Sequence, residues 1–170
     1  MTKPRIVETL GNKDLLMVHK TAFLCSRNFP ATVVLKCFDW AIAQREAGQC
    51  VISGFHSRLE KDVLAYLLKG RQPVIVALAR GMKARIEPEL KTALANGRLL
   101  IITPFGRDKK RMTSDQACIR NVLMAKLAQE IVVGYASAGG NVELLLKQLS
   151  IIKSVSYLQE HVKTTANKYC

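Results

Sequence analysis

The stretch QCVISGFHSRLE, residues 49–60, runs from an unbroken apolar segment straight into a turn crowded with polar groups. Cys50, Val51 and Ile52 have the continuous apolar character of a strand covered on both faces, as in a parallel sheet. Ser53, Gly54, His56, Ser57 and Arg58 then fill the turn before the next apolar run. A connector needs only a few turn residues. The surplus of donors points to an anion held at the end of this strand.

Further apolar runs repeat the pattern on either side. TAFLCS (21–26), PVIVAL (73–78), RLLIIT (98–103) and EIVVGY (130–135) read as strands, with SVSYL (154–158) as a weaker sixth. Helical spacing fills the intervals. Val34, Cys37, Ala41 and Gln44 make one stripe within 31–47, and Leu59, Val63, Tyr66 and Leu67 make another within 57–69. Segments 114–129 and 140–149 carry the same period, and a shorter helix is expected after Pro88 within 82–96. Strands alternating with helices predict an α/β domain with right-handed crossovers. The expected fold is a Rossmann-like, doubly wound, mainly parallel sheet of five or six strands with helices on both faces.

In such sheets the ligand sits beyond the carboxyl ends of the strands, where strand order reverses. The other strand tips carry the same chemistry as the first. CSRNFP (25–30) brings Ser26 and Arg27, ARGMKAR (79–85) brings Arg80, and TPFGRDKKR (103–111) adds a basic run. YASAGGN (135–141) brings Ser137, Gly139, Gly140 and Asn141, whose backbone N–H groups would face a phosphate at a helix N-terminus. A flexible turn with an Asn cap is the plainer alternative there. The opposite connections, REAGQ and LLKGRQP, look like ordinary helix ends at Gly48 and Gly70. Arg120, followed by Asn121, joins Arg27 as a guanidinium suited to gripping phosphate with two parallel bonds. The candidate phosphate or nucleic-acid ligands are therefore Ser26, Arg27, Ser53, Gly54, His56, Arg58, Arg80, Arg120, Asn121, Ser137, Gly139, Gly140 and Asn141.

Charge supports a polyanionic partner. Twenty-six Lys+Arg stand against 13 Asp+Glu, a formal net charge of +13, which places nucleic acid ahead of a membrane surface. A basic surface serving only solubility is the competing reading. With 49% hydrophobic and 23% charged residues, the composition is that of a soluble globular protein, and 170 residues suit one domain. No apolar run reaches the length of a membrane span, and no apolar segment of a signal peptide follows the basic start MTKPRIVETLGNKD. The five cysteines, Cys25, Cys37, Cys50, Cys118 and Cys170, are widely spaced without a C-x-x-C pair. They fit reduced thiols and a cytoplasmic protein.

Signs of catalysis are sparse. His19, His56 and His161 lack metal-ligand spacing, no H-E-x-x-H occurs, and acids near the tips are limited to Glu60, Asp62, Asp108 and Asp115. Neither G-x-G-x-x-G after the first strand nor a P-loop is present. We assign no catalytic residue, metal or cofactor from the sequence, and His56 reads as an anchoring or helix-start group, with a general base as the alternative.

The ordered set of tips resembles the DNA-processing protein A (DprA/Smf) family, whose core is an extended Rossmann fold. The family's G-S-R loop is similar to CSR (25–27), with Cys25 for Gly, and its S-G-x-A-R-G-I-D loop to SGFHSRLEKD (53–62), which keeps Ser-Gly. Its RNR element resembles Arg120-Asn121 followed by Val122, and its later phosphate turn resembles SAGGN (137–141). The resemblance implies one DprA/Smf-like Rossmann domain over 1–170, with its core at about 18–158. It also implies binding without catalysis: single-stranded DNA held by its phosphates, with loading of a recombinase in some relatives. A nucleotide or small ligand in the same crevice is the alternative, and a homodimer is compatible with the reading. A second resemblance is to the lonely-guy-type phosphoribohydrolases, whose G-G-x-G-T-x-x-E turn is similar to AGGNVELL with Gly139, Gly140 and Glu143. That resemblance implies release of free base from nucleoside monophosphates. A pure interaction module with a vestigial site is a third reading.

Overall fold

The computed structural model describes residues 4–149 and 153–159; His161 and Cys170 lie outside them. Among the described residues seven strands form one sheet: β1 (Glu8–Gly11), β2 (Lys20–Cys25), β3 (Cys50–Ser53), β4 (Val74–Ala77), β5 (Leu99–Thr103), β6 (Glu130–Tyr135) and β7 (Ser154–Tyr157). Their spatial order is β1-β5-β4-β3-β2-β6-β7. Every pairing is parallel except β1 with β5, which is antiparallel. The six strands expected from sequence are all present. The seventh, β1, was not expected. It is four residues long with no fully buried position, so its strand character comes from pairing with β5 and leaves little trace in its composition.

The α-helices described between the strands are α1 (Val34–Glu46), α2 (Arg58–Leu68), α3 (Pro88–Ala95), α4 (Ser114–Leu127) and α5 (Asn141–Leu149). Alternation along each strand divides the core in two. Phe23, Val51, Val74, Val76, Leu99 and Ile101 face the layer that contains Cys37 and Ala41 of α1, Val63 and Leu67 of α2, and Leu90 of α3. Ala22, Leu24, Ile52, Ile75, Leu100 and Ile131 face Leu123 and Met124 of α4 and Leu145 of α5. Both faces being covered explains why these strands read as unbroken apolar runs. Truncating a wholly buried position such as Ile75 to Ala would cost about 2–5 kcal/mol.

Two local devices set the helix starts that matter for the site. Ser57 caps α2 and Glu60 reaches back to it, a reciprocal capping box; Thr113 and Gln116 do the same for α4. At the opposite edge of the sheet, Lys20 is buried, and its ammonium donates to the carbonyls of Leu16 (3.0 Å) and Val18 (2.5 Å). That cation is spent on the protein's own backbone.

Candidate functional site

Strand β2 lies between β3 and β6, so the chain leaves β2 toward one side and later returns to the other. The order reverses between β2 and β6, where adjacent loops diverge and leave a crevice. The pairing of these strands slips between Leu24 and Cys25. Just beyond, the Ser26 amide donates to Tyr135 O (2.9 Å) and the Ser137 amide donates to Ser26 Oγ (3.0 Å). The loops after β2 and β6 are thereby tied together at one edge of the sheet.

The crevice has a volume of about 400 Å3. Seven of the sequence candidates line it: Ser26, Arg27, His56, Arg120, Asn121, Ser137 and Asn141. They come from the tips of β2, β3 and β6 and from the α4 and α5 helices. The side-chain amide Nδ2 of Asn141 donates to Ser114 Oγ (2.9 Å) and fixes the start of α5 against the start of α4.

Arg120, unlike Arg27, is buried. It is only 6% exposed, and its Nε donates to Asn121 Oδ1 (2.8 Å) and its Nη1 to Ala77 O (3.3 Å). Among the described residues no carboxylate forms an ion pair with it. Burial lowers its pKa; nearby Glu60 opposes that shift, while Arg27 adds to it. A buried guanidinium without a salt bridge is costly to hold unless an anion joins it. Gly54 provides the space. A Cβ there would lie 1.6 Å from Arg120 Nη1, so only glycine lets the guanidinium pass beneath the β3 turn. The next residue, Phe55, has φ 45°, in the left-handed region, and its ring is buried in the core. Burial of that ring offsets a backbone strain of about 1–2 kcal/mol.

His56 is exposed beside the crevice. Its imidazole pKa is lowered by partial burial first, then by Arg27 and Arg120, so it is neutral at physiological pH. The amides of His56 and Ser57 both donate to Glu60 Oε2, at 2.9 and 3.0 Å. The start of α2 thus already carries an internal anion.

The remaining candidates stand apart from the crevice. Ser53 is wholly buried and its hydroxyl donates to Phe23 O (2.8 Å), bridging β3 to β2. Gly54 and Arg80 line a neighbouring cavity, and Arg58 is exposed on α2 and lines neither cavity. The Gly139 amide donates to Glu143 Oε2 (2.8 Å) and the Gly140 amide to Ser137 O (3.0 Å). Sequence reasoning missed Ser57, Glu60, Thr113 and Ser114 as crevice residues. The S-x-x-E and T-x-x-Q spacings of the two capping boxes were the readable signals for three of them. Among the described residues no cluster of His, Cys, Asp or Glu could hold a metal ion, and no helix is long and apolar enough to cross a membrane.

No family model matches the sequence, and no curated protein matches it. Solved structures do. The chain is similar to DNA processing protein A (DprA) from Streptococcus pneumoniae, with a TM-score of 0.74 at 16% identity over 92% of this chain. It is equally similar to DprA from Helicobacter pylori, a protein with a single-stranded DNA binding mode, with a TM-score of 0.73 at 16% identity over 91% of this chain. The chain spans 56% of the first protein and 72% of the second. Its fold is DprA-like.

Proposed function

We propose that this chain binds single-stranded DNA, held by its phosphates in the crevice between β2 and β6. The observation that carries this reading is Arg120, a buried guanidinium that forms no ion pair among the described residues, lining a crevice with Arg27 at its rim. A phosphate there would gain charge-assisted bonds and relieve the cost of burying the arginine. Ser26, Ser137 and Asn141 supply neutral polar groups beside the two cations. The H. pylori DprA, which shares the fold, has a single-stranded DNA binding mode, and this gives the reading independent support.

The reading is one of binding. Glu143, the acid a phosphoribohydrolase-type turn would use, accepts from the Gly139 amide, pairs with Lys147, and does not line the crevice. A single nucleotide in the same crevice is the second reading, and its modest volume of about 400 Å3 favours such a ligand. Fluorescence anisotropy of a labelled oligonucleotide, titrated at several salt concentrations, separates the two. For single-stranded DNA the logarithm of affinity falls with the logarithm of salt by about 0.7 per phosphate neutralised, and Arg27→Ala removes about one such share. A mononucleotide that competes fully for the site, with a slope of one phosphate or fewer, would replace the DNA reading. No oligonucleotide affinity at low salt would end it.

A further inference from the structure

Beside the crevice lies a larger cavity of about 1100 Å3, walled by α2, α3 and the loops after β4 and β5. Its floor is aliphatic and thioether: Leu64, Leu68, Leu78, Met82, Ile86 and Leu90. Its rim is cationic, with Lys61, Lys69, Arg80, Lys83, Lys110 and Arg111. Of the two acids on the rim, Glu87 is paired with Lys83, leaving Glu89 against the remaining cations. The loops that form the wall are locked to each other. The Gly81 amide donates to Lys109 O (2.9 Å), Arg80 Nη1 to Lys110 O (3.3 Å), and Thr103 Oγ1 to Arg80 O (2.5 Å). A Cβ on Gly81 would lie 2.3 Å from Gly106 O, so the two loops approach as closely as backbone allows. The cavity is therefore a built feature.

The cavity adjoins the crevice. His56, Met112 and Arg120 line both, so the buried guanidinium sits on the saddle between them. Their sizes are complementary. Small-molecule sites span about 300–1,000 Å3; the crevice lies near the bottom of that range and the second cavity just beyond its top. One nucleotide-sized group fits the first, and several fit the second.

Resting on the reading of the crevice as a single-strand phosphate site, we propose that the second cavity receives the nucleotides that continue that same strand. The strand crosses the saddle at Arg120, lays its bases on the aliphatic floor and sets its phosphates against the basic rim. Apolar faces below and cations around them match the two sides of a nucleotide chain. Leucine and methionine offer dispersion contact to any base and no edge-specific hydrogen bonds, so the extended site is indifferent to sequence.

The test uses the full chain and labelled deoxythymidine di-, tetra- and octanucleotides, with anisotropy read at several salt concentrations. Three variants accompany the wild type. Ala65→Trp fills the cavity from an exposed position on α2, and Lys110→Ala removes a rim charge while leaving its backbone bonds. Arg27→Ala weakens the crevice itself. The wild type is expected to bind the octanucleotide more tightly than the number of binding registers alone explains. Its salt slope should be steeper by about 0.7 for each added phosphate contact. Ala65→Trp should reduce the octanucleotide to the dinucleotide's affinity and leave the dinucleotide unchanged. Lys110→Ala should flatten the slope for the octanucleotide only, and it preserves the test should Ala65→Trp fail to fold by circular dichroism. If Arg27-dependent binding is present but insensitive to length and to both cavity variants, the extension is refuted and the crevice reading stands. If the wild type binds no oligonucleotide, both fall. Binding of a glutamate-rich amphipathic peptide that Ala65→Trp abolishes, without any length effect for DNA, would assign the cavity to a protein partner and overturn the proposal.

Discussion

Substituting Gly54 by alanine attacks the site at its most constrained point without removing any functional group. The added Cβ would lie 1.6 Å from Arg120 Nη1, 2.3 Å from Cζ and 2.9 Å from Nη2, so the guanidinium must move. Moving it forfeits the bonds to Asn121 Oδ1 and Ala77 O. Hydrogen bonds of charged groups contribute about 1.5–3 kcal/mol each, although the 3.3 Å bond belongs at the weak end. Against this, the displaced guanidinium swings toward the open crevice and regains hydration that burial had removed. The net expectation is a loss of about 1–3 kcal/mol. At about 2–4 °C per kcal/mol for a domain of this size, the melting temperature falls by about 2–12 °C. A double-mutant cycle in urea isolates the cause. With Arg120→Ala already in place the clash is gone, and Gly54 does not have a positive φ. There, Gly54→Ala should be neutral or stabilising by about 0.4–1 kcal/mol, because alanine restricts the unfolded chain. The sign of the Gly54→Ala effect thus depends on Arg120. Equal destabilisation in both backgrounds would refute the claim that Gly54 exists to accommodate the guanidinium.

Protonation of His56 should couple to both stability and binding. Its pKa is lowered in the folded state by burial, Arg27 and Arg120, so its contribution to stability is complete above the unfolded value of about 6.5 and is lost as pH falls from there through the lower folded value. His56→Gln should remove that part of the acid dependence in urea titrations. A phosphate bound nearby favours the imidazolium, so oligonucleotide affinity should rise in the wild type as falling pH protonates the imidazole and stay flat in the variant. Glu60→Gln should trade stability for affinity: it weakens bonds from the His56 and Ser57 amides, costing about 1 kcal/mol by thermal melt, and removes a negative charge beside the bound phosphates. Unchanged affinity would show that Glu60 does not repel the ligand. Burial pushes the thiol pKa of Cys25 up to about 12 and those of Cys37 and Cys50 up to about 11, so all three should resist thiol reagents in the native protein and react after unfolding.

Much of this fold is legible in the sequence because a two-sided parallel sheet leaves a strong imprint. Continuous apolar runs such as 73–78 and 98–103 have no other economical reading once helical segments separate them. β1 escapes because pairing with β5 holds it, and Glu8–Gly11 is no more apolar than many loops. The crevice is legible to a lesser degree. Ser26, Arg27 and Ser137 lie on loops, and Asn141 opens α5, at a sheet edge whose place follows from strand–helix alternation alone. The local role of each donor does not follow from alternation. Ser53 looks like Ser26 in sequence, yet its hydroxyl crosses to Phe23 O inside the sheet, whereas Ser26 lines the crevice. Gly139 and Gly140 look like a phosphate cradle, yet Glu143 and Ser137 O occupy their amides. Pairing of this kind depends on the distance between strands, which composition does not encode.

The same distinction explains why Arg120 matters more than the more numerous surface cations. With a net charge of +13, any anion meets favourable long-range attraction, but exposed lysines act through screened, solvated charges. Their contribution concentrates a polyanion near the surface without fixing its register. Arg120 differs in being desolvated before any ligand arrives, held by a neighbouring asparagine and a strand carbonyl, and given space by a glycine in the turn after β3. Its hydration has already been given up on folding, so a phosphate that reaches it gains a bond in a weakly screening environment. On the proposed reading the positive surface would govern encounter and salt dependence, and the buried arginine would govern where the phosphate stops. The two roles separate experimentally. Neutralising rim lysines should slow association and flatten the salt slope, whereas Arg120→Lys, which keeps the charge and loses the planar fork, should speed dissociation with little change in that slope. Stopped-flow association and dissociation rates for the two variant classes check this directly. Equal effects on both rates from either class would mean that the buried guanidinium acts only as one more charge.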